Sequence, residues 1–179
     1  VKSVTRAFNM VVAPVNDAPV VATISTQNTT ENVAKNVSFT ITDVDSNLTC
    51  NSSVVITSSN TTLVPNTNIS ISGIAPNCVA AITPANGQSG VTSLTVTVSD
   101  NGFPMPIQSA STSFNLQVAQ VNHVPTISII ANQTTNEDTA SSAIAFTIND
   151  SDSVIYCSNV TPISSNTTLV PNGNIVISG

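Results

Sequence analysis

The stretch Thr92-Ser93-Leu94-Thr95-Val96-Thr97-Val98-Ser99 alternates polar and apolar residues from Ser93 onward. Successive side chains of a β-strand point to opposite faces of the sheet, so Leu94, Val96 and Val98 share one face. Threonine and serine occupy the other face, and β-branched residues suit strands. The stretch therefore predicts a strand with one face in a core and the other toward solvent.

Similar short strands surround this stretch on both sides, bounded by Asn, Gly, Pro and Ser, and no segment of useful length has the helical period. Seven strands in about 100 residues is the size of an immunoglobulin-like sandwich. The sequence thus predicts an all-β fold of tandem seven-stranded Greek-key β-sandwiches. The predicted strands are Val20–Thr26, Val37–Thr42, Val54–Ser58, Ile69–Ser72, Cys78–Thr83, Ser93–Ser99 and Ser111–Val118.

An internal repeat extends across these strands. The octapeptide Ser59–Asn66, SNTTLVPN, returns unchanged as Ser165–Asn172, 106 positions later. The linker Val15-Asn16-Asp17-Ala18-Pro19 returns as Val121-Asn122-His123-Val124-Pro125 at the same offset. Such a match predicts two copies of one structural unit.

The two proline-containing linkers define the expected domains, because proline and its predecessor favour a short, extended connector. Residues 1–15 are expected to be the last strand of a preceding repeat, centred on Phe8–Val12. Residues 16–121 form a complete repeat, and 122–179 form the first half of the next one. We therefore expect the chain to be an internal or processed fragment.

Composition excludes several classes of function. Only 7% of the residues are charged, the net charge is −6, and there are three basic residues. This composition offers no basic surface for nucleic acid or an anionic membrane, so neither nucleic-acid binding nor membrane insertion is expected. Three cysteines, one histidine and no tryptophan supply little material for a catalytic site, and we predict no enzyme activity. The Ser-, Thr- and Asn-rich chain suits an extracellular, cell-surface location.

The nine acidic residues are not scattered. Asp43 and Asp45 follow a predicted strand, and Asp150 and Asp152 occupy the equivalent positions of the next repeat. Asp100 follows the strand quoted above and precedes an Asn-Gly turn. Acidic residues at strand ends are often solvated turn residues. In this chain, however, charged residues are scarce and the acids fall at repeated positions, which favours a shared role as ligands.

Three local patterns resemble the cadherin superfamily, especially the bacterial cadherin-like and Ig-like tandem repeats of large extracellular surface proteins, the adhesins. The early glutamate Glu31 precedes the segment Phe39-Thr40-Ile41-Thr42-Asp43-Val44-Asp45. The strand Val96-Thr97-Val98-Ser99 ends in Asp100-Asn101-Gly102. The strand Asn115-Leu116-Gln117-Val118 leads into the second linker. The resemblance covers essentially the whole chain.

This resemblance implies calcium as the cofactor, bound where consecutive repeats meet, because calcium takes six to eight hard oxygen ligands. Bound ions would offset carboxylate repulsion and stiffen the hinge. The implied ligands at the first junction are Asn16, Asp17, Asp43, Asp45 and Asp100. Those at the second junction are Glu31, Asn122, Asp150 and Asp152.

The chain also departs from the family pattern. Animal cadherins carry an Asp-Arg-Glu-type motif before the sixth strand, and Gly90–Leu94 has no acid there. The second linker has His123 where the first has Asp17. We therefore expect the second junction to hold fewer or weaker ions, and His123 to be a substituted linker residue.

The cysteines follow the repeat, since Cys157 is the equivalent of Cys50. We predict a Cys50–Cys78 disulfide within the complete repeat. The alternative is a pair of buried free thiols. Cys157 is expected to be reduced, or to pair outside this sequence.

The leading function is a non-catalytic, calcium-stiffened stalk or adhesin fibre. Expected partners are neighbouring repeats of the same chain, with possible homo-assembly into fibres or binding of a surface receptor or glycan. The alternative is a structural subunit of an extracellular filament, assembled laterally or by one chain's terminal strand completing another's sandwich. A carbohydrate-binding module is disfavoured, because aromatic residues make up 3% of the chain.

Overall fold

A computed structural model describes residues 1–179, which divide into two compact units, Val1–Gln120 and Val121–Gly179. The first unit contains eight strands and a single short α-helix. The helix α1 spans Cys50–Ser53 and begins at Thr49, whose side chain accepts a hydrogen bond from the Ser52 backbone. The strands are β1 (Val20–Val21), β2 (Gln27–Thr30), β3 (Lys35–Thr42), β4 (Val54–Ser58), β5 (Ile69–Ile74), β6 (Asn77–Ile82), β7 (Gly90–Ser99) and β8 (Ser109–Ala119).

Two four-stranded sheets form the first unit. One sheet has the order β1-β3-β6-β5, and all of its neighbours are antiparallel. The other has the order β2-β8-β7-β4, in which β2 runs parallel to β8. The all-β prediction is confirmed.

The core lies between the inner faces of the two sheets, as the alternating sequences require. Leu94, Val96 and Val98 of β7 are completely buried, so β7 has the inward face that its sequence predicts. Leu116 of β8 and Ile82 of β6 are also fully buried. Mostly polar side chains cover the outer side of the two strands, serine and threonine from Ser93 to Ser99 of β7 and serine, asparagine and glutamine along β8.

The prediction of one strand at Val20–Thr26 is wrong. Val20–Val21 pairs with β3 in one sheet, whereas Gln27–Thr30 pairs with β8 in the other. Residues 22–26 carry the chain between the sheets, so the unit has eight strands where seven were predicted. The hydrogen-bond partners of the two segments reveal the change of sheet, and these partners lie far away in sequence.

The other six predicted strands are present, with ends that shift by a few residues. A strand at Phe8–Val12 is absent, because no neighbouring strand pairs with it and residues 1–19 have no regular structure. Backbone pairing requires a second strand, which the local sequence cannot supply.

The second unit repeats the first sheet on a smaller scale. Strands β9 (Thr126–Ile127) and β10 (Ile148–Asn149) pair antiparallel. They are the repeat equivalents of Val20–Val21 and of the last two residues of β3.

Short 3₁₀ helices occur in both units, at Asn66–Asn68 in the first and at Cys157–Asn159 and Asn172–Asn174 in the second. None of the helical segments has the length and apolar character to cross a bilayer.

Candidate functional site

One end of the first unit gathers most of the acidic residues predicted for the first junction. Strands β3 and β7 both finish there, at Thr42 and Ser99, so Asp43 and Asp100 follow them into the same set of loops. The chain enters this end through Asn16, which is buried although it precedes the first strand. We call this end of the first unit the entry end. The topology therefore brings together residues that are far apart in sequence.

Asp100 anchors the entry end and is itself buried. One carboxylate oxygen, Oδ1, accepts hydrogen bonds from the backbone N–H groups of Gly102 at 2.8 Å and Gln108 at 3.0 Å. The other oxygen, Oδ2, accepts a 2.8 Å hydrogen bond from the side-chain amide of Asn16. Desolvation acts to raise the pKa of Asp100, but these hydrogen bonds outweigh it and leave the pKa below its ordinary value.

Asp43 forms a turn with the residues that follow it. Its Oδ1 accepts from the backbone N–H groups of Asp45 at 3.0 Å and Ser46 at 2.8 Å. Burial acts to raise the pKa of Asp43, but the hydrogen bonds from Asp45 and Ser46 lower it overall. The pKa of Asp45 is raised, chiefly by its side-chain hydrogen bond with Asp43. The pKa values of these two adjacent carboxyl groups are therefore displaced in opposite directions.

The first linker is attached to this carboxylate pair. The backbone N–H of Asp17 donates to Asp45 Oδ2 at 3.0 Å, while the Asp17 side chain is exposed. The backbone carbonyl of Asn16 accepts from the side-chain amide of Gln108 at 2.5 Å. The linker thus joins both acidic loops.

Two oxygen atoms at the entry end are buried without a hydrogen-bond partner. They are Asn16 Oδ1 and Asp43 Oδ2. An unpaired buried acceptor is costly, and oxygen acceptors are also the ligands that hard cations prefer. No group of three or more His, Cys, Asp and Glu side chains is arranged to hold a metal ion. Any ion here would therefore also need amide and carbonyl oxygens.

Sequence reasoning did not identify three other residues of the entry end. Asn101 Oδ1 accepts from the Ser46 hydroxyl at 3.1 Å and from the Phe103 backbone at 3.0 Å, which links the two acidic loops. Gln108 bonds both Asp100 and Asn16. The Asp100-Asn101-Gly102 triplet indicated a turn, but nothing in the sequence marked Ser46 or Gln108.

Glu31 lies at the opposite end of the first unit, immediately after β2. It is buried, and its carboxylate accepts a hydrogen bond from the backbone N–H of Gly87. The structure does not bring Glu31 together with the acids of the entry end. This agrees with its predicted assignment to a different junction and leaves that assignment a prediction.

The second unit repeats the hydrogen bonds of the first around its own acidic pair. Asp150 Oδ1 accepts from the backbone N–H groups of Asp152 at 3.0 Å and Ser153 at 3.1 Å. The backbone N–H of His123 donates to Asp152 Oδ2 at 2.8 Å, as Asp17 does to Asp45. The side chain of Asn122 is exposed and contacts the His123 carbonyl at 3.4 Å. Hydrogen bonds from Asp152 lower the pKa of Asp150.

The predicted disulfide is confirmed. Cys50 and Cys78 are bonded, with Cα atoms 5.5 Å apart, and both are buried. The bond ties the start of α1 to β6, close to the entry end. Cys157 is free, as expected.

A family model described as a bacterial Ig domain matches residues 16–118. No curated protein matches the chain.

Several solved structures are similar. A complex of titin M10 with an obscurin-like 1 Ig domain is 11% identical, with a TM-score of 0.39 over 59% of this chain and 97% of that chain. A chimeric titin Z1Z2 with a decorin peptide is 16% identical, with a TM-score of 0.39 over 60% and 100%. Domains 1–6 of the surface layer protein SbsC are 14% identical, with a TM-score of 0.38 over 78% and 22%.

Proposed function

This chain belongs to the bacterial Ig domain family, and from that premise we propose that it is a non-catalytic repeat module of an extracellular stalk or adhesin fibre. We propose further that calcium binds at the junctions between repeats and stiffens them. The disulfide supports an oxidising, extracellular location, because such bonds rarely persist in a reducing cytosol. The internal repeat supports a chain built from successive sandwiches.

The observation that carries the calcium proposal is the pair of buried, unpartnered oxygens, Asn16 Oδ1 and Asp43 Oδ2. A cation would satisfy both. Nearly all buried polar atoms in folded proteins have a partner, so two unpaired acceptors in a chain with few charges call for a ligand. Both atoms are oxygens, which suits calcium better than a softer metal.

The carboxyl groups of the entry end support the same ion. Asp43 and Asp45 have pKa values displaced in opposite directions because the two carboxyl groups interact. A divalent cation would offset the repulsion between these two carboxylates. Calcium would draw on Asn16 and Asp43 first, with oxygens of Asp45, Asp17 and Asp100 as further ligands.

Binding at this end would stiffen the connection to a preceding repeat. Asn16 and Asp17 belong to the linker, whereas Asp43 and Asp100 belong to loops of the sandwich. An ion held by both would add bonds between the linker and the loops of the sandwich. In the second unit, His123 replaces the acidic linker residue, and we propose weaker binding around Asp150, Asp152 and Asn122. Glu31 is proposed to belong to that junction.

Thermal unfolding of the chain with excess calcium and with EDTA tests this function. Calcium should raise the melting temperature by an amount that grows with its concentration, because a ligand of the folded state stabilises it by mass action. The variant Asp43→Asn should lose most of the increase, whereas Glu137→Gln, an exposed acid outside the site, should keep it. Equal melting temperatures in calcium and EDTA would refute the calcium proposal.

Strand exchange between chains is the second candidate, and one observation favours it. Phe8, Met10 and Val12 alternate along the N-terminal segment and are each at least 78% exposed. Three apolar residues on one side of an extended segment suit insertion into another chain's sandwich. Sedimentation of the chain against the variant Phe8→Ser, Met10→Ser tests this: the candidate requires oligomers that the variant loses.

A further inference from the structure

Five large apolar side chains surround the carboxylates of the entry end, and we call them the apolar rim. They are between 60% and 88% exposed. They come from two loops and from the last residue of β5, whereas the loops of the opposite end expose only Val33 in this class. An exposed cluster of this kind indicates a surface that another molecule or domain covers. The members of the rim are Val44, Ile74, Phe103, Met105 and Ile107.

The loop that carries three of the rim residues is held in place rather than free to fold back. Asp100 Oδ1 accepts from Gly102 and Gln108 at the two bases of the loop. Asn101 Oδ1 accepts from the backbone N–H of Phe103 at 3.0 Å. Gly102 has a φ of 65°, which permits the sharp turn. The apolar side chains are therefore presented outward by a preorganised loop.

The sequence of the N-terminal segment indicates which kind of structure precedes the sandwich of the first unit in the chain. Residues 3–13, SVTRAFNMVVA, align with β8, SASTSFNLQVA, at the repeat offset, with five of eleven residues identical. In β8, Phe114, Leu116 and Val118 are at most 4% exposed. The same positions in the N-terminal segment hold Phe8, Met10 and Val12. The segment thus has the sequence of the last strand of another sandwich.

The linker is too short to separate that sandwich from the apolar rim. Ala13 corresponds to Ala119, the last residue of β8, and Asn16 is anchored to Asp100. Only Pro14 and Val15 lie between, and three consecutive Cα steps span at most about 11 Å. The two sheets of a sandwich are themselves about 10 Å apart before their loops are counted. The end of a sandwich that finishes at Ala13 must therefore lie over the loops around Asn16.

We propose that the apolar rim is the docking surface for the preceding repeat of the same chain. This inference rests on the proposed function as a tandem-repeat stalk, and it adds a hydrophobic contact that acts independently of the ion. Because the repeats are similar in sequence, the end of the preceding repeat that would face the rim corresponds to the opposite end of the first unit. Its loops at 31–34, 59–68 and 83–89 have one charged residue, the buried Glu31, and Lys35 begins β3 beside them, so an apolar rim meets a partner surface with few charges.

A chain with an added repeat tests the proposal. In this test protein, residues 1–121 are followed by a second copy of residues 16–121 and then by residues 122–179. The added copy therefore has a complete repeat in front of it. Residues 16–121 contain both sheets, the core and the disulfide, and so include the contacts of a folded repeat. Met105→Leu in the first copy leaves Met105 of the added copy as the only rim methionine.

Oxidation by hydrogen peroxide, followed by peptide mass spectrometry, reports the burial of Met105. Its oxidation in the added copy should be about fivefold slower than in the 179-residue chain, because oxidation follows the exposure of the sulfur. Met10 is exposed and calibrates the oxidant dose in both proteins. Equal rates for Met105 would overturn the proposal. The protection should persist in EDTA, so a failure of calcium binding leaves this result unchanged.

A second measurement compares one substitution at two positions of the same protein. Phe103→Ser in the added copy removes a rim residue at the junction, while Phe103→Ser in the first copy removes the same residue without a complete repeat before it. Only the junction substitution should lower the urea midpoint of the protein and restore rapid Met105 oxidation. Identical effects of the two substitutions would contradict docking of the preceding repeat.

Discussion

The side-chain amide of Asn16 donates a 2.8 Å hydrogen bond to Oδ2 of Asp100, across 84 positions of sequence. The same amide also donates to the carbonyl of Pro106 at 2.7 Å. With its amide nitrogen engaged by both acceptors, the side-chain orientation of Asn16 is fixed. One linker residue is thereby locked onto the loop between β7 and β8. This contact positions the linker that the proposed calcium site requires.

Replacement of Asp100 by asparagine should destabilise the first unit in calcium-free buffer. Three donors face the carboxylate, and an asparagine amide would direct its own donor at one of them. We expect the melting temperature to fall by roughly 5–10 °C, measured by circular dichroism in EDTA. Asp17→Asn changes an exposed side chain in the same region and should leave the melting temperature within about 2 °C of wild type.

Acidification should weaken the fold partly through Asp100. Its pKa lies below the ordinary value of 3.8, so the folded state binds this proton less readily than the unfolded state does. The resulting stability is fully present above pH 3.8 and is lost as the pH falls through the folded-state pKa. Urea midpoints between pH 6 and pH 2 should therefore fall more steeply for wild type than for Asp100→Asn. Parallel plots of urea midpoint against pH for the two proteins would show that Asp100 does not contribute to the loss of stability in acid.

Removal of the disulfide should be costly. Replacing Cys50 and Cys78 by alanine opens a loop with a sequence separation of 28 residues. The chain-entropy model gives a loss of roughly 3–4 kcal/mol in the free energy of unfolding. Urea denaturation measures it, and Cys157→Ser is the control because Cys157 forms no disulfide. A loss below about 1 kcal/mol would mean that the unfolded state is already restricted.

Two glycines with positive φ should respond differently to substitution by alanine. A Cβ on Gly73 would lie 2.5 Å from the Asn77 carbonyl oxygen across the β5–β6 hairpin, whereas one on Gly87 meets nothing within 4 Å. Gly87→Ala should cost about 1 kcal/mol, from backbone strain alone. Gly73→Ala should cost about 3 kcal/mol, because the clash with backbone cannot be relieved by a side-chain movement. Equal unfolding free energies for the two variants would contradict this account.

The comparison of sequence with structure is uneven along the chain. The inward face of β7 and the pairing of Cys50 with Cys78 were both predicted. The change of sheet between Val21 and Gln27 was not, because both segments are short edge strands whose partners lie far away in sequence. Phe8–Val12 has the pattern of a strand but no partner strand beside it.

The candidate site shows the same division. Repeat spacing placed Asp43, Asp45, Asp150 and Asp152 in equivalent turns, and the structure has matching hydrogen bonds in both units. That Asn16 is buried, that Gln108 joins it to Asp100, and that Ser46 bonds Asn101 depends on loops meeting across the sandwich.

By itself, the sequence determined the period of the strands, the repeat and the positions of the acids, because alternation and turn chemistry act between near neighbours. The tertiary structure alone decided which strands share a sheet and that Asn16 meets Asp100. It also left Asn16 Oδ1 and Asp43 Oδ2 buried without partners. The physical reason is that burial and hydrogen-bond satisfaction belong to contacts between distant segments, which form only when both sheets have closed on one core.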